Sequence, residues 1–146
     1  MGKNYKIEDK AKLLWGNDLH KNSIITAHCN QLAEIFPKRW NESLKGSLLE
    51  IGCGSGADLK IFASMVKLTS ITAIDLGSNI LNLAEKYSKN QKITIKRGNA
   101  LSLDFAEKSF DVVYTFGIFH HTSDPILCIK EAKRVLKPGG NIFLYL

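Results

Sequence analysis

Hydrophobic positions along this chain change period several times, and each change marks an element. From residue 22 to 39, Ile24, Ile25, Cys29, Leu32, Ile35 and Phe36 recur at helical spacing, which predicts a helix ending near Pro37. The stretch KLLWGNDLHKN before it is short, mixed and broken by Gly16. After the turn-like NESLKG, the apolar run at 47–51 predicts a strand, 57–66 a helix and 71–74 a second strand. The alternation continues with a helix at 80–87, strands at 93–96 and 110–116, and a helix at 124–136. Asp124 is placed to cap that last helix, and Pro125 occupies its favoured first position. Pro138-Gly139-Gly140 is expected to stop it, and 141–146 reads as a final strand. Five strands joined by crossovers predict an α/β sandwich of three layers around a mostly parallel sheet.

The stretch SLLEIGCGSGADLKIF places Gly52, Gly54 and Gly56 between the first strand and the following helix. Glycines at such spacing let backbone approach a ligand, and the free N–H groups of a helix start suit a polar or anionic one. Asp75 follows Gly52 by 23 residues, at the end of the next strand. Carboxyl ends of adjacent parallel strands are neighbours, so this carboxylate is placed to accept from a ribose diol. The third glycine of a G-x-G-x-x-G fingerprint is replaced by Ala57, a permitted substitute. Spacing alone therefore fits a dinucleotide as well as another adenosine-containing cofactor.

Composition narrows the class. A length of 146 residues, 45% apolar and 23% charged, is that of one globular domain. The formal charge of +6 is spread without a block of five or six like charges, so it reads as solubility before nucleic-acid binding. Cys29, Cys53 and Cys128 match no zinc spacing and are odd in number, which favours a reducing, cytoplasmic setting. No apolar stretch reaches the ~20 residues of a membrane span, and the first ten residues lack the apolar segment of a secretion signal. Asn41 stands in an N-x-S triplet that such a chain would not use.

With these motifs in order, the chain resembles the class I methyltransferases that use S-adenosylmethionine. LLEIGCGSG is similar to their first motif, AIDLGSNIL to the second-strand motif, and GNALSLDFAEKSFDVVYTFGIFHHTSDP with RVLKPGG to later signatures of the small-molecule type. The resemblance implies a Rossmann-like fold, S-adenosylmethionine as cofactor, and methyl transfer to a small molecule. It implies that Gly52, Cys53, Gly54 and Gly56 border the methionine portion, and that Glu50 holds its ammonium. Asp75 would take the ribose hydroxyls, Leu76 an adenine face, Asn99 and Ala100 the adenine edge, and Phe116 with Gly117 the floor near the sulfonium. Many relatives carry Asp where Asn99 stands, Ser at Gly77 and Met at Ile80.

Other readings follow from the same residues. His120 and His121 are adjacent and poorly spaced for metal, so no metal site is expected. Either could work beside bound ligand as a base, or simply pack at the end of the fourth strand. Residues 1–46, with Tyr5, Trp15 and His20, are expected to form a helical segment over the cofactor site, and 47–146 the binding core. Lys130, Arg134 and Lys137 read as a solvated helix face. Relatives continue past the fifth strand with a helix and two more strands, so the chain is expected to lack these. An apolar edge at 141–146 then invites pairing between copies. A cofactor-binding module without turnover is the alternative to an enzyme, and a nicotinamide-dependent reductase is disfavoured.

Overall fold

A computed structural model of the chain describes residues 42–77, 80–87 and 89–146. The helix expected at 22–39, Tyr5, Trp15, His20, Cys29 and nearly all of the proposed covering segment lie outside these residues.

Five strands form one sheet: β1 (Gly46–Ile51), β2 (Leu68–Asp75), β3 (Ile93–Arg97), β4 (Phe110–Phe116) and β5 (Leu136–Tyr145). Their spatial order is β3-β2-β1-β4-β5, and every pairing is parallel. β1 is central because it is apolar on both faces: Leu48 and Leu49, which point opposite ways, are both fully buried. Helices α1 (Ala57–Ser64) and α2 (Ile80–Tyr87) cover one face, where Leu59, Phe62, Ile80 and Leu83 pack on Leu48, Ile71, Val112 and Tyr114. Helix α3 (Pro125–Val135) and a 3-10 turn at Phe119–His121 cover the other, against Leu49, Ile51, Ile74 and Val113. The expected three-layer Rossmann-like sandwich is thus the fold. Strand order reverses direction between β1 and β4, and in open α/β sheets the crevice at the carboxyl ends beside such a point is where ligands bind.

Two boundaries differ from the sequence reading. The last helix stops at Val135, where Leu136 turns to extended backbone (φ −79°, ψ 134°), so Pro138-Gly139-Gly140 does not end it. That tripeptide sits instead inside β5, where the register jumps from Phe110↔Leu136 to Val112↔Asn141. It is a bulge, the place where a strand tolerates proline and glycine. β2 also starts earlier than the apolar pattern showed, at Leu68, because Thr69 and Ser70 are exposed and interrupt the run.

At the amino ends of the strands, Asp111 ties β1, β4 and β5 together. Its Oδ2 accepts from Ser47 N at 2.8 Å, Ser47 Oγ at 2.7 Å and Lys137 Nζ at 2.9 Å. The Ser47 N–H, then the Lys137 ammonium and Ser47 hydroxyl, pull the carboxyl down to about 2. No helix among the described residues is long and apolar enough to cross a membrane.

Candidate functional site

The site begins with a charged residue in a place that the core would give to an apolar one. Glu50, near the end of β1, is only 3% exposed, and its Oε2 has no hydrogen-bond partner among the described residues. Burial, reinforced by the nearby Asp58 and Asp75 carboxylates, pushes its carboxyl well above the usual range. Asp58, in the first turn of α1, is also buried and accepts from the Tyr114 hydroxyl at 2.7 Å. Thr115 Oγ1, on β4, is another buried polar atom without a partner among the described residues.

Past Glu50 the chain turns tightly. Gly52 N and Cys53 N both donate to Ile74 O, at 2.8 and 3.1 Å, and Gly56 N donates to Cys53 O at 2.7 Å. The glycines divide by what a side chain would meet. At Gly52 a Cβ would lie 2.3 Å from Ile118 Cγ1, and at Gly56 2.5 Å from Leu83 Cδ1, so the protein's own packing explains both. At Gly54, with φ +51°, nothing stands within 4 Å. Of these three glycines, only Gly54 is clear of the other described residues. The Cys53 thiol, buried beside the acids, is pushed up to about 12 and is no nucleophile.

Asp75, at the end of β2, grips the turn. Its Oδ2 accepts from Gly54 N at 2.8 Å and its Oδ1 from Gly77 N at 2.7 Å. Beside it lies a cleft of about 180 Å³ lined by Ile51, Gly52, Ile74, Asp75, Leu76, Gly98, Asn99, Ala100, Ile118, His121 and Thr122. Leu76 is 58% exposed at its rim. Asn99 Oδ1 accepts from Leu101 N at 3.0 Å, so its amide shapes the loop as well as facing the cleft.

The site therefore straddles the sheet's carboxyl edge. Asp75, Leu76, Asn99, Ala100 and His121 gather on the cleft. Glu50, Asp58 and Tyr114 lie towards α1. Phe116 is not part of the cleft: its ring stacks on Tyr145 at 4.3 Å, and Gly117 N donates to Tyr145 O at 2.9 Å. The histidines separate too. His121 lines the cleft, whereas His120 is exposed beside it, with the two rings 3.9 Å apart. Among the described residues no group of three or more His, Cys, Asp or Glu could hold a metal.

The helix face of Lys130, Arg134 and Lys137 needs correction. Arg134 donates to Phe105 O and Leu103 O, both at 2.7 Å, and forks onto Glu131, which accepts in turn from Leu103 N at 2.8 Å. Lys137 pairs with Asp111. Two of the three cations hold structure because the loop after β3 brings bare carbonyls to α3, which helical spacing alone does not reveal.

A family model described as a methyltransferase domain matches residues 49–144. The chain belongs to that family. The 27-O-demethylrifamycin SV methyltransferase of Amycolatopsis mediterranei is 30% identical over 99% of this chain and 57% of its own length. A solved structure from Galdieria sulphuraria, described as a candidate sarcosine dimethylglycine methyltransferase, has a TM-score of 0.73 at 21% identity, over 92% of this chain and 57% of its own. The cyclase SpnF, of the 4+2 type, has a TM-score of 0.65 at 25% identity, over 88% and 47%. This methyltransferase domain thus spans less than two thirds of each of these relatives.

Sequence reasoning missed Asp58, Tyr114, Ile118 and Thr122. A signal existed for the first two. Asp58 shares a helix face with Phe62, four residues on, and Tyr114 falls on the same strand face as Val112. A charge on an inward face asks for a reason.

Proposed function

We propose that this domain binds S-adenosylmethionine across the carboxyl ends of β1, β2 and β4 and serves methyl transfer to a small molecule. The observation that carries the reading is Glu50: a buried carboxyl whose Oε2 lacks a partner among the described residues, beside a glycine turn held by Asp75. Such an atom suits a cationic group brought by a ligand. Glu50 would meet the ligand's ammonium, with the backbone of Gly52, Cys53, Gly54 and Gly56 alongside. Each Asp75 oxygen accepts one N–H and keeps a lone pair for a ribose hydroxyl. Leu76, Asn99 and Ala100 would border the adenine, and Phe116 with Gly117 would stand beyond this cleft, towards the sulfonium.

When bound, S-adenosylmethionine supplies an activated methyl group. The residues of this chain contribute alignment and exclusion of water, and alignment alone supplies roughly 7–11 kcal/mol in well-oriented systems. His121, on the cleft, is the histidine proposed for base work, and His120 is placed less directly. That the Amycolatopsis relative is named for a demethylrifamycin supports a small-molecule acceptor here. Titration calorimetry with S-adenosylmethionine, S-adenosylhomocysteine and a nicotinamide dinucleotide tests the reading. We expect the first two to bind, and binding of the dinucleotide alone would overturn it.

A second reading, binding without methyl transfer, draws support from SpnF, a cyclase on the same architecture. Turnover of a labelled methyl group, measured beside binding, separates the two. We also propose that copies associate through the outer edge of β5, where Ile142 and Tyr145 are 38% and 36% exposed. Light scattering over a concentration series should show a dimer, and a monomer of 16.3 kDa throughout would refute it.

A further inference from the structure

Asn99 stands where the chain leaves β3 and turns along the cleft. Its backbone is held on both sides: Gly98 N donates to Asp75 O at 3.0 Å, and Ser102 N donates to Asn99 O at 3.1 Å. The residue lines the cleft together with Asp75, Leu76, Ala100 and His121. It is exposed, so a molecule entering the cleft can reach it.

One hydrogen bond sets which way its amide turns. Leu101 N donates to Asn99 Oδ1 at 3.0 Å, and Leu101 is anchored in turn, half-buried against the core beneath α3. An N–H must be met by an acceptor, and Oδ1 is the only acceptor that an asparagine side chain has. The amide cannot flip without setting Nδ2 against the Leu101 N–H. Nδ2 itself donates to none of the described residues. With the oxygen turned back to the loop, two N–H donors are left for the cleft. Oδ1 keeps one lone pair, but the unmet donors are the larger demand.

A carboxylate at this position would act differently. It has two oxygens, so one can take the Leu101 N–H while the other accepts from a ligand. We propose that Asn99 is a specificity-determining residue that reads the ligand's base as a donor, so that the cleft recognises a purine by a ring-nitrogen acceptor and does not require its exocyclic amino group. The proposal rests on the reading of the site as one for S-adenosylmethionine. Adenine carries acceptors on its ring nitrogens and donors on its amino group alone. Aspartate at 99 would select for the amino group, whereas asparagine, oriented by Leu101, selects for the ring.

The test uses the full chain with two ligands, S-adenosylhomocysteine and the analogue in which the adenine is replaced by unsubstituted purine. Wild type should bind the two within about 3-fold of each other in titration calorimetry. Asn99→Asp keeps the side-chain shape and an oxygen for Leu101 N, and should prefer the amino-bearing ligand by at least ~10-fold. A role confined to shaping the loop would leave the ratio of the two affinities the same in both proteins. Equal ratios, or a loss of ~10-fold or more in wild type when the amino group is removed, would overturn the assignment and leave the proposed function standing. Binding of neither ligand to wild type would overturn the proposed function, and the assignment with it. Should Asn99→Asp fail to fold, the wild-type ratio is read beside nuclear magnetic resonance of the unliganded protein. A scalar coupling between the Leu101 amide nitrogen and the Asn99 side-chain carbonyl carbon supports the assignment, and its absence from a spectrum that shows the couplings of the sheet overturns it.

Discussion

Asp75 works on its own chain as well as on any ligand, since Gly54 N and Gly77 N both donate to it. Asp75→Ala should therefore cost on the order of 1–2 kcal/mol of stability in urea titrations. It should also weaken S-adenosylhomocysteine binding at least ~10-fold in calorimetry, and an unchanged affinity would place the ribose elsewhere. Gly54 and Gly56 should part company. An Ala at Gly54 meets no neighbour among the described residues and carries the strain of φ +51°, about 1–2 kcal/mol, so circular dichroism should show a folded protein that binds poorly. An Ala at Gly56 drives its methyl into Leu83 and should disturb the fold itself. The motif G-x-G-x-G was legible, yet its spacing did not tell which glycine faces space, because Ile118 and Leu83 arrive from distant parts of the chain.

Among the elements, the loop from Asn99 to Phe105 has no regular structure and depends on α3 to hold it against the cleft. Arg134→Met keeps the aliphatic stem and removes the donors to Leu103 O and Phe105 O. Hydrogen exchange at the Leu103 amide, which donates to Glu131, should quicken, and ligand affinity should fall several-fold while α3 stays helical. Unchanged exchange at Leu103 would mean that apolar packing alone holds the loop. β1 and β4 were plain in the sequence because strands buried on both faces read as apolar runs. β3 lies at the sheet's edge with Thr94 and Arg97 exposed, and β5 carries a bulge, so their limits were harder to place.

Across the whole molecule, two groups of opposite sign shape stability against pH. The Asp111 carboxyl is held down to about 2, so the folded state binds fewer protons there than the unfolded one. Its contribution is present above the unfolded value of about 3.9 and is lost as pH falls towards about 2. Because the side chain is 38% exposed, solvent screening keeps that contribution under about 1 kcal/mol. Glu50 acts the other way. Its raised titration means the folded state binds more protons above the unfolded value of about 4.3, so stability declines as pH rises through that window. Urea unfolding over a pH series should show the unliganded protein losing stability on that limb, with Glu50→Gln flattening it. An identical slope in the variant would assign the limb to other groups.

What the chain determined locally were the elements and the glycine turn: periods of two and 3.6, a capping Asp124 before Pro125, and an Asp at a strand end are all written within a few residues. The tertiary structure decided which of those residues meet. Glu50, Asp58 and Tyr114 span 64 positions, and only a parallel sheet with β1 beside β4 and α1 above them makes them neighbours. The same topology drew His121 into the cleft, left His120 beside it, and turned Arg134 from a surface charge into a clasp. Short-range sterics and capping act within a turn or two of chain, whereas burial and charge coupling depend on distance in space.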